Sequence, residues 1–114
     1  MSVGDEILQF AASIPRRMDA ALDSAGAAIF GALVTITPVR TGVLRAGWAV
    51  RKPAPLVREI VDPVRYAPII DAGRRPDERG IMRGSVQAPE GMTAPVLRAV
   101  PAIVQISLEE AFKR

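Results

Sequence analysis

Neither cysteine nor histidine occurs among the 114 residues of this chain. Those two absences exclude disulfides, thiolate chemistry, Ser-His and Cys-His nucleophilic pairs, and nearly every zinc site. Aromatic residues are scarce as well, at 4%, so a core must be filled by Ile, Leu, Val and many Ala. Lysine occurs only at Lys52 and Lys113, beside a proline-rich break and near the chain end, where solvated amines are expected. The first residues, Met-Ser-Val-Gly-Asp-Glu, are not a basic region ahead of an apolar run, so a signal peptide is not expected and synthesis in the cytoplasm is. The longest nearly uncharged apolar run, Ala25 to Ile36, is about a dozen residues, short of the roughly 20 that cross a bilayer. It reads as a buried helix, with no membrane contact.

A chain of this length makes one domain, residues 1–114, and folding should hide roughly two-thirds of its unfolded surface. Its net charge of +3 is unevenly placed. Residues 40–83 hold nine Arg and one Lys against five acids, whereas residues 1–39 hold two Arg against four acids.

From Asp5 onward, apolar residues at 7, 11, 14, 18, 22, 25, 29, 33 and 36 recur at steps of three and four, which marks one face of a helix. Pro15 interrupts the pattern. Two arrangements fit: a short helix followed by a second one capped by Ser13 and running to about Thr35, or one kinked helix. Arg16, Arg17, Asp19 and Asp23 lie off the apolar face and are expected in solvent. Gly26 and Gly31 each weaken a helix, so either another backbone packs close to them or a small-residue helix tolerates them.

The stretch Thr37–Trp48 is a joint, because Pro38 cannot continue the helix and Gly42 bends freely. Beyond it, Ala46 to Arg51 and Leu56 to Asp62 predict two antiparallel strands with Pro53-Ala54-Pro55 as the hairpin loop. Such a ribbon is marginal alone and must lie on helices or join strands of a neighbouring copy. Tyr66 to Ala72 is either a helical turn or a short extended piece, ended by Gly73. Residues 74–93 show no period and read as a long Arg-rich loop, of the kind that is usually functional or disordered. Thr93 is a candidate N-cap for a final helix to about Phe112, with apolar residues at 97, 100, 104, 108 and 112 and with Pro101 kinking it or delaying its start. The expected class is α+β: a long N-terminal helix and a C-terminal helix packed on a small antiparallel sheet, with a long Arg-rich loop.

Three short motifs carry a resemblance. Pro38, Thr41, Gly42, Leu44 and Arg45 fit a Pro-x-x-Thr-Gly-x-Leu-Arg pattern after the first helix. Tyr66-Ala67-Pro68-Ile69-Ile70-Asp71-Ala72-Gly73 is similar to Tyr-Ala-x-x-x-Glu-x-Gly, and Ala94-Pro95-Val96-Leu97 to a Pro-Phe-Leu opening of the last helix. In this order they resemble the small head-to-tail joining, or tail-completion, proteins of long-tailed bacteriophages. The chain departs from that pattern with Asp71 for Glu, Val96 for an aromatic and Arg40 for an acid. The resemblance implies a structural neck protein of the virion, forming a homo-oligomeric ring of six or twelve copies between the head and the tail tube. Its partners would be the neighbouring connector and tail proteins, with virion DNA passing nearby and no small-molecule substrate.

Beside that stand the bottom-up readings of individual residues. An enzyme is not expected, since Asp77 and Glu78 lie adjacent on an irregular loop and no phosphate-binding glycine motif is present; no cofactor or metal is expected either. Arg74, Arg75, Arg79 and Arg83 are candidates for interprotein carboxylate pairing. Alternatively they would contact phosphate in a basic nucleic-acid-binding module, although acids sit within the run and no aromatic between 67 and 111 offers a stacking platform. Trp48, the single Trp, is expected on a strand, filling the gap between sheet and helix. Trp48 and Tyr66, the single Tyr, are each candidates for interface anchors, the core reading being the stronger for Trp48. Asp71, a further interface candidate, would cap a backbone or pair with an Arg such as Arg45.

Overall fold

A computed structural model describes residues 2–39 and 42–113; Arg40 and Thr41 of the first motif lie outside the described residues. The chain opens with α1, Val3–Ile36, one helix 34 residues long. Ser2 caps it: its hydroxyl accepts from the Asp5 amide while the Asp5 carboxylate takes the Ser2 amide and hydroxyl, a reciprocal capping box. Pro15 lies inside this helix rather than at a boundary. Ser13 is therefore no cap, and its hydroxyl instead donates to the Phe10 carbonyl, 2.7 Å away, in the back-bonding geometry that Ser adopts within helices.

After the joint comes a single turn, α2 (Val43–Ala46), so the strand expected from Ala46 starts later. Strands β1 (Ala49–Ala54) and β2 (Val57–Val61) pair antiparallel, with Val50 opposite Ile60 and Ala54 opposite Val57. Pro53 and Ala54 belong to β1, and the reversal falls one residue later than expected, at Pro55-Leu56, where Leu56 has φ 61°. A register irregularity between Arg51 and Ala54 accommodates Pro53, which cannot donate to the ladder. Next are α3 (Ala67–Asp71), the two-residue strands β3 (Arg75–Pro76) and β4 (Met82–Arg83), α4 (Thr93–Leu97) and α5 (Val100–Ala111). Pro101 stands in the first turn of α5, so it delays that helix instead of bending it.

The fold is thus α+β, with the long N-terminal helix and the C-terminal helix packed against small two-stranded antiparallel sheets. α5 runs back along α1, and the Phe112 ring reaches Phe10 with centroids 6.4 Å apart. Its inward face is Val100, Ile103, Val104, Ser107 and Ala111; Leu97 and Leu108, expected on that face, are exposed. The core lies at the other end of α1, where Leu33, Leu44, Trp48, Ala67, Met92 and Val96 cluster. The molecule is a rod of 71 × 22 × 22 Å. In its N-terminal part Val3, Ile7 and Leu8 stay exposed, because α5 ends before reaching them.

Charged residues expected in solvent bind the hairpin to α1. The buried guanidinium of Arg58 on β2 donates to Asp19 at 2.9 Å and to Asp23 at 2.6 Å, and Lys52 reaches Asp19 at 3.1 Å. Arg17 stacks over Phe10 and Phe112, 5.6 and 5.7 Å from their centroids. Gly26 is buried under the hairpin, yet an added Cβ there would make only ordinary contacts with Val50 and Arg58, and Gly31 faces open space. Neither glycine marks a close backbone crossing.

Gly31→Ala is accordingly expected to raise stability by about 0.5–1 kcal/mol, the helix-propensity difference. Gly47→Ala should lower it, because the new methyl would collide with the Asp62 carboxylate and lie 2.8 Å from a Val64 methyl. Thermal denaturation of the two variants against the parent reads both signs.

Candidate functional site

The joint is built around Thr37, which is 1% exposed. Its hydroxyl donates to the Leu33 carbonyl and accepts the Trp48 indole N–H at 2.7 Å. Its own carbonyl accepts from Arg45 Nη2 at 3.0 Å, with the Thr35 carbonyl 3.4 Å from the same atom. No basic residue stands in the last turn of α1; Arg45 from the following turn supplies the cation that the helix C-terminus favours. Pro38 ends α1, Gly42 at φ 79° starts α2, and Leu44 is buried in the core. The described residues of the first motif therefore act in one local task, which is to stop a helix and turn the chain. Trp48 is a core residue as expected, although it precedes β1 rather than lying on it.

The second and third motifs meet each other. Asp71, at the end of α3, accepts from the Met92 and Thr93 amides at 3.0 and 2.7 Å and from the Thr93 hydroxyl with both carboxylate oxygens. Thr93 is the first residue of α4 and donates to a cap supplied from 22 positions upstream. Of the two partners open to Asp71, the backbone is the one it takes. Partial burial pushes its carboxyl up, but the hydrogen bonds from Thr93 and Met92 outweigh this and hold it below the usual carboxylate range. Gly73 (φ 83°) and Gly91 (φ 83°) let the two segments touch: a Cβ on Gly73 would lie 2.8 Å from the Pro89 carbonyl, and one on Gly91 would strike the Asp71 carbonyl. Pro95 lies half-buried within α4.

Residues 74–93 are internally tied. The Arg74 amide donates to the Pro89 carbonyl at 2.8 Å. Asp77 organises the β3–β4 turn, accepting the Arg79 and Ile81 amides at 2.8 and 3.0 Å and the Arg83 side chain at 3.0 Å. Hydrogen bonding from Ile81, aided by Arg83 and Arg79, holds its carboxyl low despite partial desolvation. Asp77 is thus a turn organiser, not half of a solvated pair with Glu78. The four candidate arginines divide accordingly: Arg83 is bound to Asp77, while Arg74, Arg75 and Arg79 are exposed and hold no side-chain partner among the described residues. Asp71 is likewise engaged within the chain.

Between the joint and this segment opens an apolar groove of about 1050 Å³, walled by Pro38, Val39, Val43, Tyr66, Ile70 and Val86. Tyr66 is half-exposed on its rim. The pocketed surface was not legible in sequence, because its walls come from three separated segments. Among the described residues no three Asp or Glu converge as a cation cage would require.

Thr37→Val should cost about 1–3 kcal/mol by leaving the buried Trp48 N–H without an acceptor, seen as a lowered denaturation midpoint with unchanged helical circular dichroism at low temperature. The depressed Asp71 pKa stabilises the fold above the ordinary carboxylate value of 3.8, and this contribution is lost as pH falls through the lowered folded value. Asp71→Asn should therefore melt lower at neutral pH and lose less stability on acidification below that value than the parent does. Compared with family models, curated proteins and solved structures, the chain matches none.

Proposed function

We propose that the chain is a structural subunit of the head-to-tail connector of a long-tailed bacteriophage, assembling as a homo-oligomeric ring that meets adjoining connector and tail proteins. The observation that carries this reading is the shape of its surface. A 71 Å rod only 22 Å wide leaves Val3, Ile7, Leu8, Val39, Val43 and Val86 exposed, and apolar surface in this amount at the ends of a small subunit is suited to partners. The motif residues support the reading in a second way, since Arg45, Asp71 and Gly73 organise the fold in the manner expected of a shared scaffold. A structural role needs no catalytic group, cofactor or metal, and we assign none.

By length and composition α1 could cross a membrane. We read it instead as the backbone of a virion subunit, because Asp19 and Asp23 in its middle are ion-paired to the hairpin and its last turns carry the core. Binding to nucleic acid is the competing reading, favoured by Arg74, Arg75 and Arg79, which have no side-chain partner among the described residues. The two differ in salt: phosphate contact weakens steeply with ionic strength, whereas a subunit contact with an apolar centre persists.

Replacing Arg74, Arg75, Arg79 and Arg83 with Ser is expected to leave a folded subunit and to block particle completion, giving separate heads and tails in electron micrographs. Normal intact particles from that variant would remove the loop from the assembly role. A subunit that stays monomeric at every concentration, with a concentration-independent melting temperature, would count against the ring itself.

A further inference from the structure

We infer that copies of this chain join head to tail, the first two turns of α1 of one copy seating in the groove between the joint and residues 84–87 of the next. This rests on the self-assembling subunit proposed above and names its contact surfaces.

The donor end is preformed. Phe112 meets Phe10, and beyond that contact α1 projects with Val3, Ile7 and Leu8 at 72%, 62% and 70% exposure among the described residues. The capping box fixes this turn, so little ordering is required on docking. Asp5 and Glu6 stand among these apolar side chains. The acceptor end is an apolar groove; Arg74, exposed and without a side-chain partner among the described residues, lies beside its Gly84 wall, its Cα 3.1 Å from where a Cβ on Gly84 would be. An apolar turn carrying two carboxylates thus has, as its complement, an apolar groove with the exposed Arg74 beside one wall.

Geometry and charge together select the pairing. A 34-residue helix is about 51 Å long, so one copy cannot fold its own α1 start into its own groove. Two projecting turns set against each other would oppose Asp5 and Glu6 to their counterparts, and two grooves would oppose arginines. Only the unlike ends match. Such a contact is heterologous: it repeats from copy to copy and closes into a ring when the rotation between copies permits.

The absence of native cysteine makes the test direct. Leu8→Cys and Val86→Cys, both at exposed positions, are prepared separately and treated with a short bismaleimide, with sedimentation run in parallel. A covalent dimer is expected from the mixture and from neither variant alone. Glu6→Lys on the Leu8→Cys chain should reduce its yield about tenfold, with recovery when the partner carries Arg74→Glu. Oligomers in sedimentation without a mixed cross-link, or a Leu8→Cys chain that cross-links to itself as readily, would overturn the head-to-tail contact while leaving ring assembly through another surface. Monomer alone at all concentrations, with no cross-link, would overturn both.

Discussion

One buried hydroxyl holds the structure's turning point together. Thr37 occupies the place where a 34-residue helix must stop, and its side chain and carbonyl satisfy groups from α1, from Arg45 and from Trp48 at once. An unpaired indole N–H or helix-end carbonyl buried here would cost a desolvation penalty with no return. The network converts a helix end into a rigid corner, and every later element is placed relative to that corner. The core follows from it, since Leu44 and Trp48, brought inward by the turn, close over Leu33 and receive Ala67, Met92 and Val96.

Outside that core, polar contacts fix where the elements sit. With few aromatics available, the hairpin is fastened to α1 through Arg58 and its two aspartates, and α4 is fastened to α3 through Asp71. Pairing both draws Asp19 below the usual carboxylate range, through Arg58 and then Lys52, and raises Arg58, through Asp23 and then Asp19. Because the carboxylates lie near water, these bonds fix geometry more than they add stability. A small core at one end and a helical stalk at the other result, and the two ends differ in charge as well as in shape. That polarity is the physical basis of the assembling role proposed for the molecule.

Periodicity and breakers in the sequence determined the main elements by themselves: an apolar helical face ahead of the joint from its three-four spacing, the joint from Pro38 and Gly42, the hairpin from β-branched runs around prolines, and the α+β class from their order. Local chemistry suffices there, because helix and turn preferences act over a few residues. Tertiary structure alone decided the rest. Pro15 remained within α1 and not at a boundary, and Ser13 capped nothing, since the packing of α5 along α1, with Phe112 against Phe10, carries the helix past one missing amide hydrogen bond. Asp19 and Asp23 looked like a solvated face until Arg58, 35 or more residues away, folded onto them. Asp71 found its partner at Thr93, and Gly91 proved to be a point of backbone contact instead of slack in a loop. The groove belongs to the same class, with walls from Pro38, Val39 and Val43, from Tyr66 and Ile70, and from residues 84–87. In each case the deciding interaction joins segments distant in sequence, and no spacing within either segment encodes which partner the fold will bring to it.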